Sequence, residues 1–159
     1  MPEPIVIVAA RRTPIGGFQG IFSPVSATQL GSFAAAAALA DSGLSPDAID
    51  EVIFGCVLPA GLGQAPARQA AVGAGIALSV PATTVNKMCG SGMKAVMLAA
   101  DQIRAGSARA ILAGGLESMT NAPYLMLKAR AGYRMGHAEI YDHMFYDGLQ
   151  SPWDGKAMG

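Results

Sequence analysis

The chain has 159 residues, enough for one domain with a sizeable core or for part of a larger one. It is 52% hydrophobic and only 14% charged, against roughly 25% charged in an average globular protein, which predicts that a subunit interface or further chain covers much of its surface. Formal net charge is zero and lysine and arginine form no run, which excludes the electrostatic footprint of a nucleic-acid or anionic-membrane partner.

The longest strongly apolar run, FAAAAALA from Phe33, falls far short of the roughly 20 residues a membrane-spanning helix needs. At the N-terminus IVIVAA precedes a pair of arginines, the reverse of a secretory signal. Two cysteines, Cys56 and Cys89, show neither CxxC spacing nor clustering with histidine, so the sequence predicts no disulfide scaffold and no metal site. These features read as a soluble, unexported, cytoplasmic protein.

In chain order, PIVIVAA is a continuous apolar, β-branched run ending in turn chemistry, and it predicts a first strand over residues 4–10, buried on both faces. ATQLGSFAAAAALADSG predicts a helix capped at Ser26 or Thr28 and ended by Gly43. Ser45, Pro46 and Asp47 carry helix-start chemistry and lead into EVIFGCV, a second apolar strand. A short alanine-rich helix is expected from Pro66 to Gly75, then a third strand through PATTVNKM, with β-branched Thr83, Thr84 and Val85. The next helix carries Met93, Val96, Met97, Ala100 and Ile103 at helical spacing, an apolar stripe read as core packing, and closes at Gly106. RAILAGG is the fourth strand. Four strands alternating with helices predict an α/β domain over residues 1–115, a mostly parallel sheet with helices on both faces. From Leu116 onward glycine, methionine, tyrosine and proline occur without a period, so residues 116–159 read as a long loop excursion.

Cys89 lies in VNKMCGSGMKAV, where a strand gives way to a helix. Gly90 and Gly92 allow close backbone approach to a ligand, and helix-opening amides favour a thiolate over a thiol. The same amides suit the oxyanion of an acyl-transfer intermediate. In open α/β sheets ligands bind at the carboxyl ends of the strands, where Cys89 is expected. Position alone leaves a functional thiol and a core cysteine equally open.

The block NKMCGSGMKAV resembles the nucleophile signature of the thiolases, particularly the acetyl-CoA acetyltransferase type. VAARRTPIGGFQG, GLGQAPARQAA, GGLESMTNAPY and YDGLQSPWDGKAMG resemble further family blocks in family order. Lys87, and Gly90 in place of serine, resemble the acetoacetyl-CoA rather than the long-chain degradative type. The resemblance implies a thiolase fold that makes or cleaves acetoacetyl-CoA through an acetyl-cysteine intermediate, with coenzyme A thioesters as substrates, no bound cofactor, and normally a homotetramer. It implies Cys89 as the acylated nucleophile, with its own N–H in the oxyanion hole, and Leu149 and Met158 as lining residues of the pantetheine tunnel. The family's activating histidine and second cysteine lie in Gly-His-Pro and Cys-x-Gly motifs that do not occur here. The chain therefore resembles the N-terminal portion of a thiolase, with the C-terminal half absent and residues 116–159 beginning the region that covers coenzyme A and builds the tetramer. Two other readings stand beside this one: a ketosynthase-like condensing enzyme, and an inactive fold half acting as an assembly module.

Cys56, without a glycine-flanked helix start, reads as a buried structural residue. His137 and His143, among tyrosines, read as surface or interface residues. Glu117, just after the fourth strand, is read either as a hydrogen-bond support near the thiol or as a structural partner. GLGQAPARQ lacks a complete GxGxxG, so it reads as an interface loop with Arg68 as its anchor.

Overall fold

The computed structural model describes residues 4–158. Helix α1 (Ala27–Ser42) opens on a reciprocal cap: the Ser26 hydroxyl accepts the Gln29 N–H, and the Gln29 side chain accepts the Ser26 N–H. It ends at Gly43, whose φ of 69° is the left-handed geometry a helix stop requires. A 3-10 turn, Pro46–Ala48, capped by Ser45, leads to strand β1 (Glu51–Gly55). Helix α2 (Pro66–Gly73), strand β2 (Ala82–Val85), helix α3 (Ser91–Arg104) and strand β3 (Ile111–Gly115) follow.

The sheet is parallel in the order β2-β1-β3, with Val52 opposite Ala82 and Leu112. As the central strand, β1 is buried on both faces, which explains its unbroken Val52-Ile53-Phe54 run. Val52 and Phe54 face α1 and α2, whereas Ile53 faces Ala95 and Ala99 of α3. The α/β class, the parallel sheet and its two helical faces are as the sequence predicts.

Helix α1 lays Ala27, Gly31, Ala35 and Leu39, spaced by four, into the core. A Cβ at Gly31 would stand 3.1 Å from that of Ala70, and one at Gly73 would stand 2.3 Å from the Ser32 hydroxyl oxygen, so α1 and α2 touch almost backbone to backbone. Arg68 anchors within the chain, donating to the carbonyls of Val80 and Leu78 at 3.2 and 2.6 Å.

Two expectations are corrected. Residues 4–10 enter no β-ladder, and Val6, Ile7 and Val8 are exposed. An apolar run buries only where a strand edge and covering helices receive it, and the ladder here consists of β2, β1 and β3 alone. Nor is the stripe on α3 core: Met93 is 73% and Met97 52% exposed, and Val96 is exposed as well. The buried side is Ser91, Ala95 and Ala99, because the helix approaches the sheet too closely for longer side chains.

The region after Leu116 is more ordered than its composition suggests. Strands β4 (Tyr124–Leu125) and β5 (Tyr141–Asp142) pair antiparallel, and a π-helical turn spans Met144–Leu149. Three contacts tie it to the loop after β1. Gly148 packs on Leu58, Pro123 on Gly61, and His143 on the Ala60 amide.

Candidate active site

The site begins with four glycines. A Cβ at Gly55, the last residue of β1, would lie 2.5 Å from the Ser91 Cβ, and one at Gly115, ending β3, would lie 3.5 Å from the Gly92 Cα. Gly114 also lies beside Gly92, its carbonyl oxygen 3.7 Å from where a Cβ there would stand. The start of α3 therefore nests on the carboxyl ends of β1 and β3, the edge at which parallel sheets bind ligands.

Cys89 occupies the turn that delivers the chain into α3, and its side chain is exposed. The turn is narrow. Gly90 N–H donates to the Lys87 carbonyl at 3.1 Å and Ser91 N–H to the Met88 carbonyl at 3.0 Å. Met88 takes a φ of 49°, a left-handed conformation uncommon outside glycine. The Asn86 side chain accepts the Met88 N–H at 2.9 Å, and the buried Ser91 hydroxyl accepts the Lys87 N–H at 2.8 Å while donating to the Met88 carbonyl at 2.6 Å.

The other thiol has a different setting. Cys56 is buried, its Sγ is 3.6 Å from Glu117 Oε1, and burial together with the Glu117 charge and hydrogen bond pushes it up to about 12. A thiol so rarely ionised at neutral pH is a poor nucleophile, in keeping with the structural reading. Glu117 also accepts the N–H groups of Val57 and Leu58 at 2.8 and 3.0 Å, so the thiol it bonds is Cys56. It clips the end of β3 to the loop after β1.

Leu149 and Met158 are brought together: the Met158 N–H donates to the Leu149 carbonyl at 2.7 Å, beside a bridge between Gln150 and Ala157. His137 is exposed, but His143, expected at a surface or interface, is buried within the chain. Its Nε2 accepts the Ala60 N–H at 3.3 Å, which leaves Nδ1 as the protonated nitrogen facing Asp147 at 2.6 Å.

Asn86 and Ser91 hold the turn around Cys89 and were missed by the sequence reading, as was the burial of His143. The first two carried a signal in their spacing, because Asn and Ser within three residues of a tight turn commonly bond its backbone. His143 carried none, since its partner Ala60 lies 83 residues away. Among the described residues no three His, Cys, Asp or Glu side chains gather as a metal site requires. A recess of about 150 Å³ lined by Arg11, Arg12, Gly31 and Glu117 does not include Cys89.

A parallel sheet on whose β1 and β3 ends a cysteine-bearing helix start is seated can serve acyl transfer, and the chain belongs to an enzyme family: residues 5–159 match the thiolase N-terminal domain. Over 158 residues it is 52% identical to acetyl-CoA acetyltransferase 2 of Arabidopsis thaliana, covering 99% of this chain and 39% of that protein. Acetyl-CoA acetyltransferases of Pseudomonas aeruginosa and Saccharomyces cerevisiae are each 50% identical, over 99% and 100% of this chain and 40% of theirs. The chain thus spans about two-fifths of the length of these relatives.

Proposed function

We propose that this chain is the nucleophile-bearing portion of an acetyl-CoA acetyltransferase, acting on acetyl-CoA and acetoacetyl-CoA. The observation that carries the reading is Cys89, exposed on a fixed turn at the strand ends, in a chain about half identical to relatives bearing that name.

In the proposed chemistry the Cys89 thiolate attacks the thioester carbonyl of acetyl-CoA. The tetrahedral oxyanion collapses, the S–C bond to coenzyme A breaks, and the acetyl group remains on Cys89 as a thioester while the coenzyme leaves as its thiolate. In condensation, the α-carbon of a second acetyl-CoA attacks that acetyl carbonyl and frees Cys89. Proton transfer at the α-carbon calls for a base; the residues described here are proposed to contribute the acyl acceptor and its seat. Leu149 and Met158, already joined by a backbone hydrogen bond, are proposed to flank the pantetheine arm. The proposed setting is a cytoplasmic homotetramer; exposed Val6, Ile7, Met93 and Met97 support only that further protein covers this surface.

The test is intact mass after incubation with acetyl-CoA, beside a Cys89→Ser variant. One acetyl group added at Cys89 and lost in the variant supports the reading; an adduct that persists in the variant overturns it. The exposed apolar surface also favours a second reading, an assembly module without catalysis. Turnover of acetoacetyl-CoA with free coenzyme A by the full chain rules that module out.

A further inference from the structure

The geometry points to Asn86 and Ser91 as positioning residues that hold Met88 in its left-handed conformation and thereby set where the Cys89 thiol stands over the strand ends. The acyl-transfer reading supplies what the thiol does; where it stands is tested without it.

A left-handed φ crowds the Cβ of an L-residue against the following carbonyl, so such a residue persists only where its surroundings over-determine it. At Met88 both backbone groups are caught. Its N–H is taken by the Asn86 side chain at 2.9 Å, and its carbonyl by the Ser91 hydroxyl at 2.6 Å and the Ser91 N–H at 3.0 Å. Ser91 is itself immobilised, 4% exposed and wedged on Gly55. Its hydroxyl also accepts the Lys87 N–H at 2.8 Å, so one oxygen joins the residues on either side of the turn. The Met88 side chain is exposed and none of these bonds involves it. What the two polar side chains secure is a backbone conformation.

That supplies a specific rescue. Glycine adopts left-handed φ freely, so Met88→Gly should make the two anchors largely dispensable. The readout is the rate of Cys89 alkylation by iodoacetamide in the full chain at one fixed pH, followed by the mass of the Cys89 peptide. Acetylation by saturating acetyl-CoA is read alongside.

Asn86→Ala and Ser91→Ala should each change the alkylation rate about threefold or more at a fixed pH, as the thiol leaves its place over the strand ends. Each should slow acetylation about tenfold. Adding Met88→Gly should return the alkylation rate to its starting value and recover most of the acetylation rate. An alkylation rate unmoved in both single variants, or a change that Met88→Gly leaves unrepaired, overturns the proposal. If Ser91→Ala fails to fold, Asn86→Ala, at an exposed position, carries the same comparison. A chain alkylated normally but never acetylated overturns the acyl-transfer reading, and the alkylation rates still decide the role of the turn.

Discussion

Gly55 and Ser91 stand so close that a side-chain carbon on the glycine would lie 2.5 Å from the serine Cβ. Strand end and helix start are in backbone contact, and the atoms facing Gly55 are Ser91 main chain and Cβ, which have no rotamer to escape into. Gly55→Ala should therefore displace the start of α3 rather than be absorbed locally, at a cost of about 1–3 kcal/mol. Urea denaturation measures the cost, and a changed alkylation rate at Cys89 reports the displacement.

The corrected face of α3 makes an asymmetric prediction. Met93→Gln with Met97→Gln should leave stability within about 0.5 kcal/mol, because both side chains are exposed in the chain. Ala95→Val, at 0% exposure against Ile53, should cost about 1–3 kcal/mol. Core packing by the methionine stripe would require the reverse order, so thermal melts of the two variants separate the two arrangements.

Glu117 bonds two amides and a thiol across the ends of β1 and β3. Glu117→Ala leaves the Val57 and Leu58 N–H groups without their acceptor and should cost about 1–3 kcal/mol. Glu117→Gln retains one acceptor oxygen and should recover part of that loss. Equal destabilisation by the two variants in urea titrations would contradict the clip.

Cys56 and Asp50 each contribute to one limb of the pH profile of stability, beside Tyr141, raised by its bond to Glu139, and Asp154, lowered by its bond to Ser151. Cys56 is raised from an ordinary 9.0 to about 12, so between those values the unfolded chain has released a proton that the folded chain keeps. Its contribution is complete below pH 9 and is lost as pH rises toward 12. Asp50 moves the other way: the N–H groups of Arg109 and Ala110 hold its carboxyl below the usual 3.8. Its contribution is present above 3.8 and is lost as pH falls below it. Denaturation midpoints under reducing conditions should fall at both ends, with Cys56→Ala flattening the alkaline limb and Asp50→Asn the acid limb.

His143→Phe keeps a ring at the buried position but removes the bonds to Ala60 and Asp147, at about 1–3 kcal/mol. The loosening should be local. Lys128, Arg130 and Arg134 lie exposed between β4 and β5, so limited trypsin digestion should cut there several-fold faster in the variant while α1 to β3 stay protected.

Elements whose signals are local were legible in the sequence. Ser26, Gly43, Ser45 and Pro46 mark their boundaries as expected, and the continuous apolar run of β1 announced a strand buried on two faces. Cys89 was legible because its glycines and the following helix lie within a few residues of it. What failed depended on distant partners. The composition of residues 4–10 shows that they can be buried, but not whether a strand edge is there to receive them. Along α3, apolar spacing yields two competing faces, one of methionines and one of alanines. Choosing between them takes the glycines that end β1 and β3, which belong to other elements than the helix they receive. The burial of His143 likewise hangs on the loop after β1, 83 residues away in the chain.

The glycine contacts beneath α3 also determine how the nucleophile moves. Where a helix rests on a sheet through long side chains, rotamer changes act as a soft bearing, and the helix can shift while the strands stay still. Here Gly92 rests directly on Gly115, and Ser91 on Gly55, with no such bearing between them. The thiol therefore rides on the sheet itself, and any shear between β1 and β3 reaches Cys89 as a rigid displacement of its turn.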